Sequence, residues 1–464
     1  MTTFASPRLA SGFAVRRSDI TVRADVNYAR MEPVVKDLLD RFNHPLTRLG
    51  TLTSKVQYGS SSKAVDEAVG TPMIRMTNLQ DGDWDLDVLK YTILDEHEQE
   101  KYLLAKGDLC LTRTNGSKDL VGKCAVFRED GSWIFASYVL RVRIERPDEY
   151  LPEFLARFLN SEVGRVQIDR LSRQALMTNI NSDEIKQIVI PHPTPDVQAA
   201  MVADLGSHQD RYRDRLADAR KLLLRGDEEI IARLGLRPPS AASPLAWAAR
   251  RAALTAESGR LNAEFFHPER LDTVRLITEG DTPSFRVDAI AEFVKDKQTG
   301  IEPGDHYVGL AHIERDTGEL LAAKEADDDL PTGDLMRFKA GDVLFAKLRP
   351  YLNKVHLAER DGVCSPEFFV LRPSEGIRGE YLAAILRSQI TVTQTRHMAG
   401  GNTHPRLTPA DVHAMFIPVP DDDKVQHGIA DAEVANRHKA RNIRAHATAE
   451  WSAAKQRFGD ALVA

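Results

Sequence analysis

Gly107-Asp108-Leu109-Cys110-Leu111 and Gly341-Asp342-Val343-Leu344-Phe345 are one short pattern used twice: glycine, aspartate, then three apolar residues. Each reads as a turn feeding a strand, because glycine tolerates turn geometry and a short apolar run suits a buried strand. Their separation of about 230 residues decides the fold, since other segments recur in the same order at nearly the same offset. Arg23-Ala24-Asp25-Val26-Asn27-Tyr28 is echoed by Arg260-Leu261-Asn262-Ala263-Glu264-Phe265, and Pro45-Leu46-Thr47-Arg48-Leu49 by Pro283-Ser284-Phe285-Arg286-Val287. Ile74-Arg75-Met76-Thr77-Asn78-Leu79 is matched by Val308-Gly309-Leu310-Ala311-His312-Ile313, Glu149-Tyr150-Leu151 by Glu380-Tyr381-Leu382, and Ile188-Val189-Ile190-Pro191 by Met415-Phe416-Ile417-Pro418. The offset drifts from 237 to 227 while the order holds, so the chain reads as two copies of one module.

Each copy closes with a strand, a proline break and a long polar stretch of helical character. In the first, Thr194 is a candidate N-cap with Pro195 at the first helical position, and Gly235 is the stop signal. The apolar stripe is Val197, Met201, Leu205, His208, Tyr212, Leu216, Ala219, Leu223, Asp227, Ile230, Leu234. In the second, Asp421 is the expected cap, and the stripe is Val425, Ile429, Ala432, Asn436, Ala440, Ile443, Ala447, Trp451, Ala454, Phe458, Leu462. Both advance in steps of four, four and three, an eleven-residue period that keeps paired helices nearly straight. Some 38 residues would reach about 55 Å. The stripes outrun the face of one small domain, so we expect the helices to pack on each other as a spacer; the alternative is two surface helices, each covering its own domain. Leu236–Ser258, with Pro238-Pro239-Ser240-Ala241-Ala242-Ser243-Pro244, reads as a linker.

Within each globular half, short β runs at Asp108–Thr112, Ala125–Phe127 and Val139–Ile144 precede helical patterns at Pro152–Val166 and Gly379–Ser388. Regular strand-helix alternation is lacking, which points to α+β modules rather than a doubly wound sheet. The expected division is 1–194, a helix over 195–235, a linker over 236–258, a second module over 259–420 and a helix over 421–464.

The 464 residues agree with two or three domains. Hydrophobic residues at 42% and charged residues at 28% exclude a disordered or fibrous chain, and no apolar run reaches a membrane span. Cys110, Cys124 and Cys364 form no Cys-x-x-Cys pair, so neither a disulfide framework nor a zinc site is expected, and residues 1–17 lack an apolar secretory segment. A reducing cytoplasm is the expected setting. The net charge of -6 argues against a chain coated in basic charge, but it hides local separation. Glu314–Asp334 carries eight acids and two bases, whereas Arg337–Arg360 carries six bases and two acids.

The duplicated module closed by a long helix resembles the specificity subunit of Type I restriction-modification systems. The resemblance runs from about Arg23 to Leu462. It is carried by Gly70-Thr71-Pro72-Met73-Ile74-Arg75-Met76-Thr77-Asn78-Leu79, by Lys106-Gly107-Asp108-Leu109 with Val121-Gly122-Lys123, and by Lys339-Ala340-Gly341-Asp342-Val343-Leu344-Phe345. Arg349-Pro350-Tyr351-Leu352-Asn353-Lys354 and Gly400-Gly401-Asn402-Thr403-His404-Pro405 belong to the same likeness. It implies two pseudo-repeated target-recognition domains separated by two long antiparallel helices that form a coiled-coil-like spacer. Each domain would read one half of a split double-stranded DNA site, and the helices would dock methyltransferase subunits, expected as two. Restriction or translocase subunits would complete the assembly, with no membrane partner, no catalytic residue, no metal and no cofactor in this chain.

The residue types expected at the DNA follow from hydrogen-bond chemistry. Arginine donates to guanine, asparagine and glutamine read adenine, and lysine holds phosphates. In the first half the candidates are Arg113, Thr114, Asn115, Ser117, Lys118 and Lys123 on one polar loop, and Gln174, Asn179 and Asn181 on a second. In the second half they are Lys347, Arg349, Tyr351, Asn353 and Lys354, then Asn402, His404 and Arg406. The first loops of the two halves differ, which suggests two different half-sites. Gly116-Ser117-Lys118-Asp119-Leu120-Val121-Gly122-Lys123 approaches a phosphate-binding loop, but it has the wrong glycine spacing and leads into a strand-like run. No Asn-Pro-Pro-Tyr run is present to hold a flipped base. The rival readings are a stand-alone restriction endonuclease built on Glu184-Ile185-Lys186, and a coiled-coil scaffold that binds only protein. Asn181-Ser182-Asp183-Glu184 reads better as a helix cap than as a nuclease site. His267, His306 and His312 lack the spacing of metal ligands.

Overall fold

A computed structural model of the chain describes residues 25–53, 55–80, 82–173, 177–237, 263–321, 333–400 and 404–463. The first two residues of the Arg23 segment, Arg260–Asn262 of its echo, nearly all of the expected linker and the middle of the acidic block lie outside them. The fold is α+β and divides into two compact units, residues 1–212 with 448–464, and residues 213–447. Among the described residues no helix is long and apolar enough to cross a membrane.

In the first unit the strand Leu46–Arg48 pairs antiparallel with Val189–Pro191, so the ends of the module are tied together. A four-stranded antiparallel sheet follows in the order Val56–Tyr58, Val139–Val142, Leu109–Thr112, Cys124–Val126. A smaller sheet sets Thr71–Ile74 parallel to Ile134–Phe135 and antiparallel to Lys90–Thr92. The central strands are buried on both faces. Leu109, Leu111, Val126, Leu140 and Val142 face a core with Phe154, Phe158 and Ile168, while Cys110, Ala125 and Val139 join Phe127 and Phe135 in a second cluster. Alternating side chains of one strand therefore serve two cores, which is why these segments are continuously apolar rather than alternating.

The second unit repeats the end pair and the four-stranded sheet, while its other sheet has four strands instead of three. Ser284–Arg286 pairs with Phe416–Pro418, and the four-stranded sheet runs Ala291–Val294, Phe368–Pro373, Val343–Ala346, Val355–Leu357. Tyr307–Val308 is again parallel to a neighbour, Gly362–Cys364. The Gly-Asp pairs do the same work in both units. Gly107 and Gly341 each adopt φ 90, a conformation that disfavours a Cβ. The following aspartate, buried in each case, accepts a backbone N–H three residues back and a two-point ion pair from the adjacent strand. Asp108 takes Ala105 N and Arg143, and Asp342 takes Lys339 N and Arg372. Two glutamine pairs outside the sequence matches repeat as well. Gln167 clasps both backbone groups of Val189 and Gln394 those of Phe416, while Gln198 bonds Leu151 N and Glu149 O and Gln426 bonds Arg378 N and Gly376 O.

Several boundaries differ from expectation. The helix expected over Pro152–Val166 breaks at Ser161, whose hydroxyl accepts from Gly164 N to start a second helix, Glu162–Leu171. The first long helix, Pro195–Leu224, is interrupted at Arg225 before Gly226–Arg233. Its stripe also starts late: Val197 is 41% exposed, and Gln198 is the buried residue of that turn. The last helix is Asp423–Val463, and Asp422 rather than Asp421 receives the N–H of Lys424.

Both units contain portions of both long helices, and in each portion residues of one helix meet residues of the other in descending order. In the first unit Arg457 reaches His208, and Trp451 stacks on Tyr212 with ring centroids 6.0 Å apart. Ala454, Phe458 and Leu462 enter the first core. In the second unit Gly226 approaches Glu433, and Gly428 approaches Arg233. There the last helix carries a charged row, buried at Glu433 and Arg437 and half-buried at Arg441 and Arg444, that the apolar stripe does not reveal. Glu433 pairs with Arg387 and Arg437, Arg437 and Arg441 hold Glu319, and Arg444 holds Glu314.

Candidate nucleic-acid interface

The strand Leu109–Thr112 runs directly into Arg113, and Thr114–Asn115 pairs antiparallel with Thr178–Asn179. The two polar loops of the first half, some 60 residues apart in sequence, thus become neighbours. Arg113 is fixed on both sides, donating N–H to Tyr138 O at 2.8 Å and accepting from Ile180 N at 3.0 Å. Its guanidinium lies over the Tyr58 ring, 4.6 Å from the centroid. Asn115 Oδ1 accepts from Ser117 N and closes the turn, after which Lys118 is exposed and Lys123 half-buried. Asn179 is half-buried and exchanges backbone hydrogen bonds with Arg173. Gln174 lies outside the described residues.

Asn181 serves the fold. Its side chain accepts from Asp183 N and Glu184 N at the start of the short helix Ser182–Ile185. Glu184 closes the box: one carboxylate oxygen accepts from Asn181 N and the other from Arg173 Nε. Both oxygens of the acid required by the nuclease reading are therefore engaged. The Gly116–Lys123 loop ends in the strand Cys124–Val126 and not in a helix, so it lacks the helix N-terminus that a phosphate-binding loop uses.

The second unit brings its loops together in the same way. Leu348 bridges Arg406, Leu407 N donates to Lys347 O, and Arg349 N donates to Pro405 O at 2.7 Å. Lys347 donates to Pro366 O and sits over the Phe369 ring; burial pulls its pKa below the ordinary lysine value despite the nearby Glu367. Lys354 donates to Leu310 O and is likewise lowered by burial. Arg349 and Asn353 flank the one-turn helix Pro350–Leu352, both with positive φ, 50 and 48. Tyr351 at the tip is 45% exposed, and His404 and Arg406 are exposed, with Arg406 paired to Glu367. Asn353 differs from the reading of it as an adenine reader: its side chain is buried and donates to Arg387 O at 2.8 Å, because the left-handed turn directs the amide into the unit. Asn402 lies outside the described residues.

Two aromatic residues escaped the sequence reading, Tyr58 beneath Arg113 and Tyr138, which is 51% exposed and carries the carbonyl that fixes Arg113. Both sit on or beside strands distant in sequence, and only strand pairing discloses them.

One further cluster has metal-ligand chemistry. His267, Glu269 and His397 are buried with ligand atoms within 4.8 Å of one another. The two imidazoles stack 4.0 Å apart at 5°, so their in-plane lone pairs run in parallel planes and do not converge on one ion. His397 bridges Glu264 and Glu269 at 3.1 and 3.0 Å, and His267 Nδ1 accepts from Glu269 N. The cluster has the geometry of a hydrogen-bonded clamp between the helix Pro268–Thr278 and the end of Gln389–Arg396. His306 meets Arg360, and His312 accepts from Gly309 N.

No family model matches the chain. The solved S subunit of the Type I restriction-modification system of M. genitalium aligns over 91% of this chain and 96% of its own, at 12% identity and a TM-score of 0.40. Among curated proteins, the Type I restriction enzyme EcoKI specificity subunit of Escherichia coli (strain K12) is 26% identical over 155 residues, 33% of each chain. The StySPI specificity subunit of Salmonella potsdam is 27% identical over 165 residues, 35% of each chain. The matched stretch spans about a third of the length of these curated relatives. Over that stretch the chain is similar in sequence to specificity subunits of Type I restriction enzymes.

Proposed function

We propose that this protein is the DNA-sequence recognition subunit of a Type I restriction-modification complex. Each module reads one part of a bipartite double-stranded site. The two long helices pair antiparallel, fix the separation of the modules as a spacer, and dock methyltransferase subunits. Those partners, with restriction subunits, supply the chemistry, and this chain contributes none.

The observation that carries the reading is the convergence of polar loops at the same place in both modules, Thr114–Asn115 with Thr178–Asn179 and Leu348 with Arg406. Loops held at the ends of buried strands present Arg113 and Lys118 in one unit, and Arg349, Tyr351, His404 and Arg406 in the other. These are side chains suited to base edges and phosphates, carried on a rigid scaffold. The similarity to specificity subunits supports the same reading. The Glu184 nuclease gains no support, since its acid is committed to a cap and an ion pair.

Methylome sequencing of cells with and without the gene tests the function. The expected result is one methylated motif, split by a non-specific gap, that disappears with the gene. An uninterrupted motif, or no dependent motif, overturns the proposal.

A further inference from the structure

Nearly every arginine around the two loop clusters is paired with a carboxylate: Arg143 with Asp108, Arg173 with Glu184, Arg372 with Asp342, Arg406 with Glu367. Arg113 and Arg349 differ. Neither has an ion pair or a side-chain hydrogen bond among the described residues, and in each the Nε is buried without a partner. Their terminal Nη groups are not buried in that way, so the end of each guanidinium is open while its inner edge is closed off. With Nε closed off, the two Nη groups are the donors that an acceptor arriving from outside can reach.

The main chain of both arginines is fixed, and in Arg113 the guanidinium is supported as well. The Arg113 guanidinium rests on Tyr58, whose hydroxyl accepts from Ser182 N, and both backbone groups of Arg113 are bonded. Arg349 is locked by Pro405 O, by Leu352 N and by a left-handed conformation immediately before Pro350. That conformation is strained for a residue other than glycine, and such strain is maintained where the surroundings dictate it. The main-chain bonds make Lys347 the counterpart of Arg113, since each donates to the carbonyl of the adjacent strand and accepts from the residue after the second loop. Arg349 therefore corresponds to Asn115, and the two free guanidiniums sit two residues apart in one structural frame.

A guanidinium carried on a fixed main chain, with its two Nη groups left for an outside acceptor, matches a planar pair of acceptors, and in duplex DNA the pair with that geometry is O6 and N7 of guanine in the major groove. We infer that Arg113 and Arg349 each read one guanine, so that both halves of the DNA site contain a guanine fixed by one of these side chains. The inference rests on the DNA-recognition reading above.

The test is selection from random duplexes by the full-length protein, compared with Arg113→Gln and Arg349→Gln, with thermal melting to confirm that each variant is folded. The wild type should enrich a split motif with an invariant guanine in each half. Arg113→Gln should lower the preference for one of them about 5- to 150-fold and leave the other half intact; Arg349→Gln should do the reverse. A folded variant with an unchanged motif overturns the inference. So does uniform weakening on all sequences with the salt slope reduced by about one, the mark of a phosphate contact. If the wild type enriches no motif, the DNA-recognition reading itself fails.

Discussion

At the residue scale, the repeat is preserved most faithfully by side chains that satisfy backbone groups. Asp108 and Asp342 are legible in sequence because glycine precedes each and apolar residues follow. Gln167, Gln394, Gln198 and Gln426 are not, because a glutamine in a helical pattern looks the same whether it faces water or a buried carbonyl. Gln198 is fully buried and bonds Leu151 N, Glu149 O and Pro193 O. Truncating it leaves buried donors and acceptors unpaired, which costs about 1–3 kcal/mol for each such group. Gln198→Ala is therefore expected to lower the stability of the first unit by at least that amount in urea unfolding, and Gln426→Ala that of the second. A change within about 0.5 kcal/mol, typical of surface positions, would show that water replaces the amide. Asn353 makes the converse point: its residue type suggested base reading, and its backbone conformation turns it inward.

At the element scale, the last helix shows how far periodicity reaches. The apolar stripe identifies Ile429, Ala440, Ala447, Ala454, Phe458 and Leu462, all buried. It misses Glu433 and Arg437, which are buried too, because charged residues read as solvent-facing until their partners are known. Burial opposes the charge on Glu319, but the Arg441 and Arg437 guanidiniums outweigh it and hold the carboxyl below its ordinary range. Glu433 is likewise penalised by burial and held down by Arg387 and Arg437. Next to this network, burial lowers the pKa of His356, which shares a hydrogen bond with Gly318 O. A histidine with a folded pKa below its unfolded one favours the folded state fully only above the unfolded value, about 6.5. The second unit should therefore lose stability as pH falls through about 6.5 and downward, and the carboxylates add to the loss below their unfolded range. Melting curves from pH 7.5 to 5 for the wild type and His356→Gln would check this. The variant should have a flatter profile between pH 7 and 5.5, and parallel profiles would remove His356 from the explanation.

At the scale of the whole molecule, the two units share the end-tying strand pair and the order of one four-stranded sheet but present different side chains at the loop clusters. If each reads its own half-site, exchanging residues 1–194 for the corresponding part of a related protein should change one half of the methylated motif and leave the other half and the gap unchanged. A simultaneous change in both halves would mean that the units do not read DNA independently. The duplication, the α+β class, the strand starts just after Gly107 and Gly341, and the loops where polar and basic residues collect are all legible in the sequence alone. Those properties rest on local signals: glycine conformation, apolar runs and residue order. Long-range packing alone reveals that the 113–118 and 177–181 segments adjoin, that Tyr58 supports Arg113, that Asn353 and Asn181 serve the fold, and that Glu433 and Arg437 of the last helix are buried. Each of these depends on a partner far away in the chain, and no local pattern encodes which distant group will supply the missing hydrogen bond or charge.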